Sequence, residues 1–310
     1  TSVELEEAFM TTTSLPYGLQ IEAGQFFTEF GRINPRHPHQ WHWQDQPVIN
    51  TRLFGPDGMR GPGFRLGWLL PVSWFSEMHF GIQNANGETM ASFLASEEFF
   101  DERAIGGRPF VNREVKTLKD MAYLARMDNS FDLSENVTAN IGLSGLYGPN
   151  ATGSQGETFI YGADFVVKWR SEGGARGWPF LIWETEVIKR DYKAAAFFDD
   201  SDPGNNLQEE TLNDRGLYTQ ILYGFRTGWA AGLRYEYATG SGESVGGREN
   251  DPFRDDRRRI SPLLTWMPTE FSRLRAQYNF DRADHLPDKD AHSAWLGVEF
   301  MYGAHAAHSF

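Results

Sequence analysis

From about residue 121 onward the chain alternates apolar and polar side chains in successive stretches, and the connections between stretches are by turns short and long. In 137–147 one face reads Val137, Ala139, Ile141, Leu143, Tyr147, and the other Thr138, Asn140, Gly142, Ser144. The next stretch sets Phe159, Tyr161, Ala163, Phe165, Val167 and Trp169 against Thr158, Gly162, Asp164 and Lys168. A period of two places these sets on opposite faces of a strand. A soluble sandwich would bury its apolar faces against each other. Here the apolar face is long and aromatic while the other carries small and charged residues, as expected for lipid outside and water inside.

Composition fits once this alternation is recognised. Mean hydropathy is −0.50 and net charge −13, and no apolar run approaches the roughly 18 residues of a spanning helix. A barrel carries its hydrophobicity in every second residue, so low mean hydropathy does not exclude a membrane. Aromatics at 15% and 32 glycines suit girdles and tight turns. The absence of cysteine removes disulfide and thiol chemistry, and the acidic balance speaks against nucleic acid as a partner. Thr1 already lies in a strand-like segment, so a processed or truncated N-terminus is expected.

Thirteen strands are legible, with short connections at 14–18, 71–74, 132–135, 170–177, 226–228 and 267–270. Long ones fall at 31–62, 85–120, 148–156, 192–214, 240–256 and 283–291. The expected fold is all-β: one transmembrane antiparallel up-and-down barrel over 1–310, with short periplasmic turns and long extracellular loops. Single-chain bacterial barrels have even counts, so about 14 strands are expected, within 12–16, with one preceding the segment read here. Trp74, Trp169, Trp178, Trp229 and Trp266 all sit beside short turns, where indole meets the headgroup layer.

The final stretch runs Ala294, Leu296, Val298, Phe300, Tyr302, then Ala304, Ala306, His308 and Phe310. A closing strand ending in Phe resembles the assembly signal of Gram-negative outer-membrane proteins. The chain as a whole resembles the porin-like outer-membrane barrels. Its Gly24-Gln25-Phe26-Phe27-Thr28-Glu29-Phe30-Gly31-Arg32 segment is similar to an element of phosphate-selective-type porins and related barrels. That resemblance implies a Gram-negative outer-membrane location and contact with lipid and lipopolysaccharide. No TonB box or globular plug domain is apparent.

Inward positions on the strands carry Arg126, Lys168, Arg234, Arg259, Arg273 and Arg275 against Asp128, Asp164, Glu184, Glu186, Glu236, Asp281 and Glu299. Six positive against seven negative is close to balance, which suits a general or narrow pore better than a sharp anion filter. Arg259, Arg273 and Arg275 either form a short basic ladder or pair with Glu184, Glu186 and Glu236 across the lumen, and the second arrangement is favoured.

The loops hold the remaining candidates. His37, His39, His42 and Asp45 form the densest group of potential zinc or copper ligands, against the plainer expectation of a proline-stiffened external loop. Asp199, Asp200, Asp202, Glu209 and Glu210 are oxygen ligands suited to calcium, in a spacing that also fits a solvated acidic loop. Gly55–Gly63 reads as turn punctuation, and 88–100 has Met90, Phe93 and Leu94 at helical spacing. Loops 31–62 and 85–120 are long enough to fold into or over the lumen. Arg257-Arg258-Arg259 would meet lipopolysaccharide phosphates or neutralise Asp255 and Asp256. No Ser-His-Asp set can be assembled around His79 or His285, so enzyme activity is not expected. The expectation is a channel for small polar or ionic solutes. The alternatives are a closed scaffold holding a lipoprotein or electron-carrier partner, and metal uptake through the histidine loop.

Overall fold

The computed structural model describes residues 5–173, 177–242 and 251–301. The C-terminal positions from Tyr302 to Phe310, and with them the terminal-Phe expectation, lie outside the described residues. Among the described residues thirteen antiparallel strands pair strictly in sequence order. They are β1 Ala8–Thr11, β2 Leu19–Phe27, β3 Arg60–Leu69, β4 Phe75–Asn84 and β5 Met121–Ser134. There follow β6 Val137–Pro149, β7 Glu157–Arg170, β8 Phe180–Ala194 and β9 Glu210–Arg226. The series ends with β10 Trp229–Ser241, β11 Arg257–Thr269, β12 Ser272–Ala283 and β13 Asp290–Phe300. All thirteen expected strands are present, close to the anticipated fourteen. None of the described pairings joins β13 to β1.

The sheet is strongly curled. Side chains from β5 (Leu124), β6 (Leu146), β7 (Ile160), β8 (Ile188) and β10 (Ala238) belong to a single buried cluster with Ile49, Phe54 and Phe93. On a flat sheet, at roughly 4.8 Å per strand, β5 and β10 would lie about 24 Å apart. One packed cluster spans that gap only when the sheet wraps around it.

The outward face is apolar and open: Ile141, Leu143, Phe159, Trp183, Ile221, Leu233 and Leu264 are all exposed. Soluble proteins rarely tolerate so continuous an apolar surface. Trp74 and Trp266 are exposed at the short-turn end, with Trp229 stacked on Trp266 at 5.5 Å. A second aromatic belt, which sequence reading did not single out, marks the opposite end through Tyr123, Tyr147, Phe159 and Tyr278. Trp178 departs from the expected girdle. It packs on Phe180 at 4.7 Å, beside an inner cluster of Trp43, Leu222 and Leu263.

The loops differ from expectation in extent. β9 begins at Glu210 and keeps register with β8 from Ala194, because Leu212 and Asp214 continue the inward face. β3 begins at Arg60, so part of the Gly55–Gly63 punctuation is strand. A short helix, α1 Val48–Phe54, forms inside the first long loop, with Ile49 and Leu53 four apart on its buried side. In the second, Met90, Phe93 and Leu94 are buried on turns, and the helix α2 forms later, at Glu97–Glu102.

Inward glycines make the room for these loops. A Cβ on Gly162 would stand 3.2 Å from the Phe30 ring, on Gly216 2.9 Å from Ile49, and on Gly232 2.9 Å from the Trp43 indole. Glycine inside a strand often marks such a close approach. Gly232→Leu is expected to force Trp43 out of its seat and lower stability by about 1–3 kcal/mol, the usual cost of overpacking. Reversible unfolding in detergent measures this, and an unchanged midpoint would remove Trp43 from the wall.

Candidate lumen gate

Residues 28–59, between β2 and β3, turn inward as soon as β2 ends. Thr28 Oγ1 donates to Gln83 on β4 at 2.6 Å, and Asn34 Nδ2 donates back to the Thr28 carbonyl at 2.7 Å. Gly31, at φ +64°, adopts the left-handed backbone that brings the chain against Glu186; a Cβ there would lie 1.7 Å from Oε1. Arg32 then enters between Asp128 at 3.8 Å and Asp164 at 4.0 Å, and Arg36 reaches Glu184 at 3.3 Å. The segment similar to the porin element is therefore where the loop enters the barrel.

Asp45 is the centre of the next layer. Arg234 donates to its Oδ1 at 2.6 Å, Arg259 to Oδ2 at 2.7 Å and Gln277 to Oδ1 at 2.6 Å. Burial pushes the Asp45 carboxyl up, but the Arg234 and Arg259 guanidiniums outweigh it and hold the group below its ordinary range. Beside it, Arg234 Nε donates to Glu236 at 2.7 Å, and the Val48 N–H at the start of α1 donates to Glu236 Oε2 at 2.6 Å. Arg275 donates to the carbonyls of Trp41 and Trp43 at 3.0 Å, and Arg273 to that of His39 at 2.7 Å. From the second long loop, Ser92 Oγ donates to the Leu53 carbonyl at 2.5 Å and accepts from Arg190 at 2.9 Å.

Glu184, Arg234, Glu236, Arg259, Arg273 and Arg275 thus meet one loop. Arg126, Glu184, Glu186, Arg234 and Glu236 are 4%, 1%, 1%, 1% and 1% exposed. Side chains lining a wide aqueous pore would be far more open. Of the expected pairing of Arg259, Arg273 and Arg275 with Glu184, Glu186 and Glu236, the part for Arg273 and Arg275 is corrected, whereas Arg259 does lie opposite Glu236 in the β10–β11 register. Arg259 joins Asp45 and Asp281, whereas Arg273 and Arg275 share Glu299 on the next strand at 2.6 and 3.2 Å. Adjacent strands offered nearer partners than the far wall. Glu184 instead accepts from Tyr218 at 2.8 Å and Gln220 at 3.0 Å, and Arg126 binds Asp164 at 2.6 Å.

The proposed metal set is also separated. His37 stacks on His39 with ring centroids 5.5 Å apart and meets Glu7 at 2.8 Å, while Asp45 is committed to the arginines. Among the described residues no group of three or more His, Asp or Glu side chains is placed to hold a metal. In the acidic loop, Asp199 accepts from Ser201 and Asn205 of its own turn, at 2.5 and 2.9 Å. Arg257 and Arg259 turn inward to Asp281, and Arg258 faces outward over the Tyr237 ring. His79 lies 3.6 Å from Glu77.

His42 sits within this loop. Burial, opposed by Glu184 and reinforced by Arg36 and Arg273, takes its pKa from 6.5 to about 4. A depressed histidine pKa means the folded protein binds fewer protons than the unfolded chain. Its contribution is intact above pH 6.5 and is lost as pH falls toward 4, amounting to roughly 3 kcal/mol at most. Unfolding free energy in detergent should therefore decline across that interval in the parent and decline less in His42→Gln. Parallel curves would place His42 in water.

No family model matches the chain. An uncharacterized protein of Aquifex aeolicus (strain VF5) is 29% identical over 323 residues, covering 99% of this chain and 63% of the relative. The chain thus spans less than two thirds of that relative's length. Among solved structures, the outer membrane channel DcaP of Acinetobacter baumannii superposes with TM-score 0.54 at 9% identity, over 90% of this chain and 71% of that one. OmpT, an outer membrane protein of Vibrio cholerae, gives TM-score 0.47 at 8% identity, over 92% of this chain and 76% of its own. Together with the apolar outward face, the agreement with DcaP establishes the fold as an antiparallel up-and-down β-barrel like that of this channel.

Proposed function

We propose that the protein is an outer-membrane channel of a Gram-negative envelope, passing small polar or ionic solutes and held shut by residues 28–59. The carrying observation is that Arg126, Asp164, Glu184, Glu186, Arg234 and Glu236 on the inward face are buried, with groups of that one loop packed against them. The loop-to-wall contacts around Asp45, Arg36 and Arg32 are ionic and hydrogen-bonded. Such contacts can exchange for water and salt when the loop leaves, exposing a lumen of nearly balanced charge. Lipid and lipopolysaccharide are the expected surroundings of the outward face, with Arg258 over Tyr237 at its external edge.

The test is planar-bilayer recording of the parent and of a variant in which 29–58 is replaced by a short Gly-Ser turn. The parent should be mostly silent and the variant should give discrete conductance steps. A silent, folded variant would remove the channel reading. A stoichiometric envelope subunit co-purifying with it would then favour the closed scaffold, for which the sealed lumen is equally suited.

A further inference from the structure

At the external end, between the first loop and β11, lies a cavity of about 370 Å³. Its wall carries Arg52, Arg103, Arg257 and Arg259 with His285, against a single carboxylate, Asp45. That is a local surplus of positive charge in a chain of net charge −13. Arg257 and Arg259 share one oxygen of Asp281, at 2.7 and 2.8 Å. Arg52 is buried, donates to the carbonyls of Arg254 and Asp255 at 3.2 and 2.7 Å and lies 3.9 Å from Asp214 behind the wall, yet its Nε has no hydrogen-bond partner among the described residues. Nε and Nη2 of Arg103 are buried and have no hydrogen-bond partner among the described residues, and its guanidinium lies 4.9 Å over the Phe253 ring. Burial, with Arg190 and Arg52 near by and opposed by Asp251 and Asp214, pulls the Arg103 group down to about 10.

We infer that this cavity binds a small organic carboxylate, its carboxylate meeting the Arg103 and Arg52 donors and its apolar body lying against Phe253 and Trp41. Buried guanidinium N–H groups without acceptors are costly, and a planar carboxylate matches their fork geometry. The volume suits a ligand of one ring or a short chain. Bare phosphate would satisfy the arginines but leave the aromatic wall unused. The inference stands apart from the channel reading, because binding is measured with or without conductance.

Isothermal titration calorimetry on the full chain folded in detergent, with benzoate, benzamide and inorganic phosphate as probes, tests it. Benzoate should bind saturably, with neutral benzamide and phosphate at least ten-fold weaker. Arg103→Gln should weaken benzoate at least ten-fold and Phe253→Ala, which changes no charge, several-fold. The exposed-loop variant Lys289→Gln should leave it unchanged, and circular dichroism should show all three folded. No saturable heat from benzoate, equal affinity in Arg103→Gln and Lys289→Gln, or phosphate binding as tightly as benzoate would each overturn the inference.

Discussion

Asp45→Ala is expected to turn a mostly silent protein into one that conducts, with open probability in planar bilayers rising at least ten-fold. The single carboxylate accepts from Arg234, Arg259 and Gln277, on three successive strands. Removing it leaves Arg234, 1% exposed, with Glu236 as its remaining ion partner, and Arg259 with Asp281. Breaking one side of a buried ion pair typically costs about 3–5 kcal/mol, because the remaining charge has lost its counter-ion and has no water. The protein can escape that cost by letting water in, and water enters only if the loop moves. The loss should therefore appear as mobility of residues 28–59, with the barrel itself retained. Asp45→Glu, which keeps the charge at a slightly longer reach, should restore much of the silence. A silent Asp45→Ala protein that remains folded would show that Asp45 is not what seats the loop, leaving that to Arg32, Arg36 and the apolar cluster around Ile49, Phe54 and Phe93.

Leu143→Arg should destabilise the folded protein by about 2–4 kcal/mol in lipid, since Leu143 faces outward near the middle of β6. Its side chain is 57% exposed and its neighbours across the sheet, Met127 and Ala163, continue the apolar face. An arginine there must snorkel, thin the bilayer or carry water with it. Thr138→Arg, facing inward near the short-turn end beside Asp132, should cost less than about 1 kcal/mol, as an exposed charge next to a carboxylate does. Unfolding free energies in bilayers of defined thickness separate the two. Equal penalties would reverse the inside and outside faces.

Sequence alone revealed the wall well and its contents poorly. Alternation in 137–147 and 157–169 carries the strand positions, because lipid on one side demands an apolar residue at every second place. The inward face was harder to interpret. Asn140, Gly142 and Ser144 looked like a surface for water, yet Ser144 accepts from Arg126 and donor Gly31 N–H, at 2.8 and 3.2 Å. Small inward residues serve a wet pore and a packed loop equally well, so their identity cannot distinguish the two. Gly162, Gly216 and Gly232 were the usable signal, since glycine weakens a strand unless something must approach it. Charge pairing was misjudged for a related reason. Neighbouring strands bring Glu299 to Arg273 and Arg275, whereas the partner of Arg234 and Arg259 comes from Asp45, 189 residues away from Arg234 in sequence. Helix α1 was missed because seven residues are too few to show a period. Asp45 is bound by Arg234 and Arg259 and so stands apart from His37 and His39, a separation their closeness in sequence does not reveal.

The most direct test is a crosslink between loop and wall. The chain contains no cysteine, so the pair Ile49→Cys and Gly216→Cys introduces the only two thiols. A Cβ at Gly216 would stand 2.9 Å from that of Ile49, closer than the roughly 3.5–4.5 Å of a disulfide, so a loop shift of about 1 Å away from the wall accommodates the bond. In outer membranes treated with a mild oxidant, these thiols should join rapidly and within one molecule, and bilayer recordings of the oxidised protein should stay silent. Free thiols throughout, in folded protein that conducts, would contradict a loop seated in the lumen.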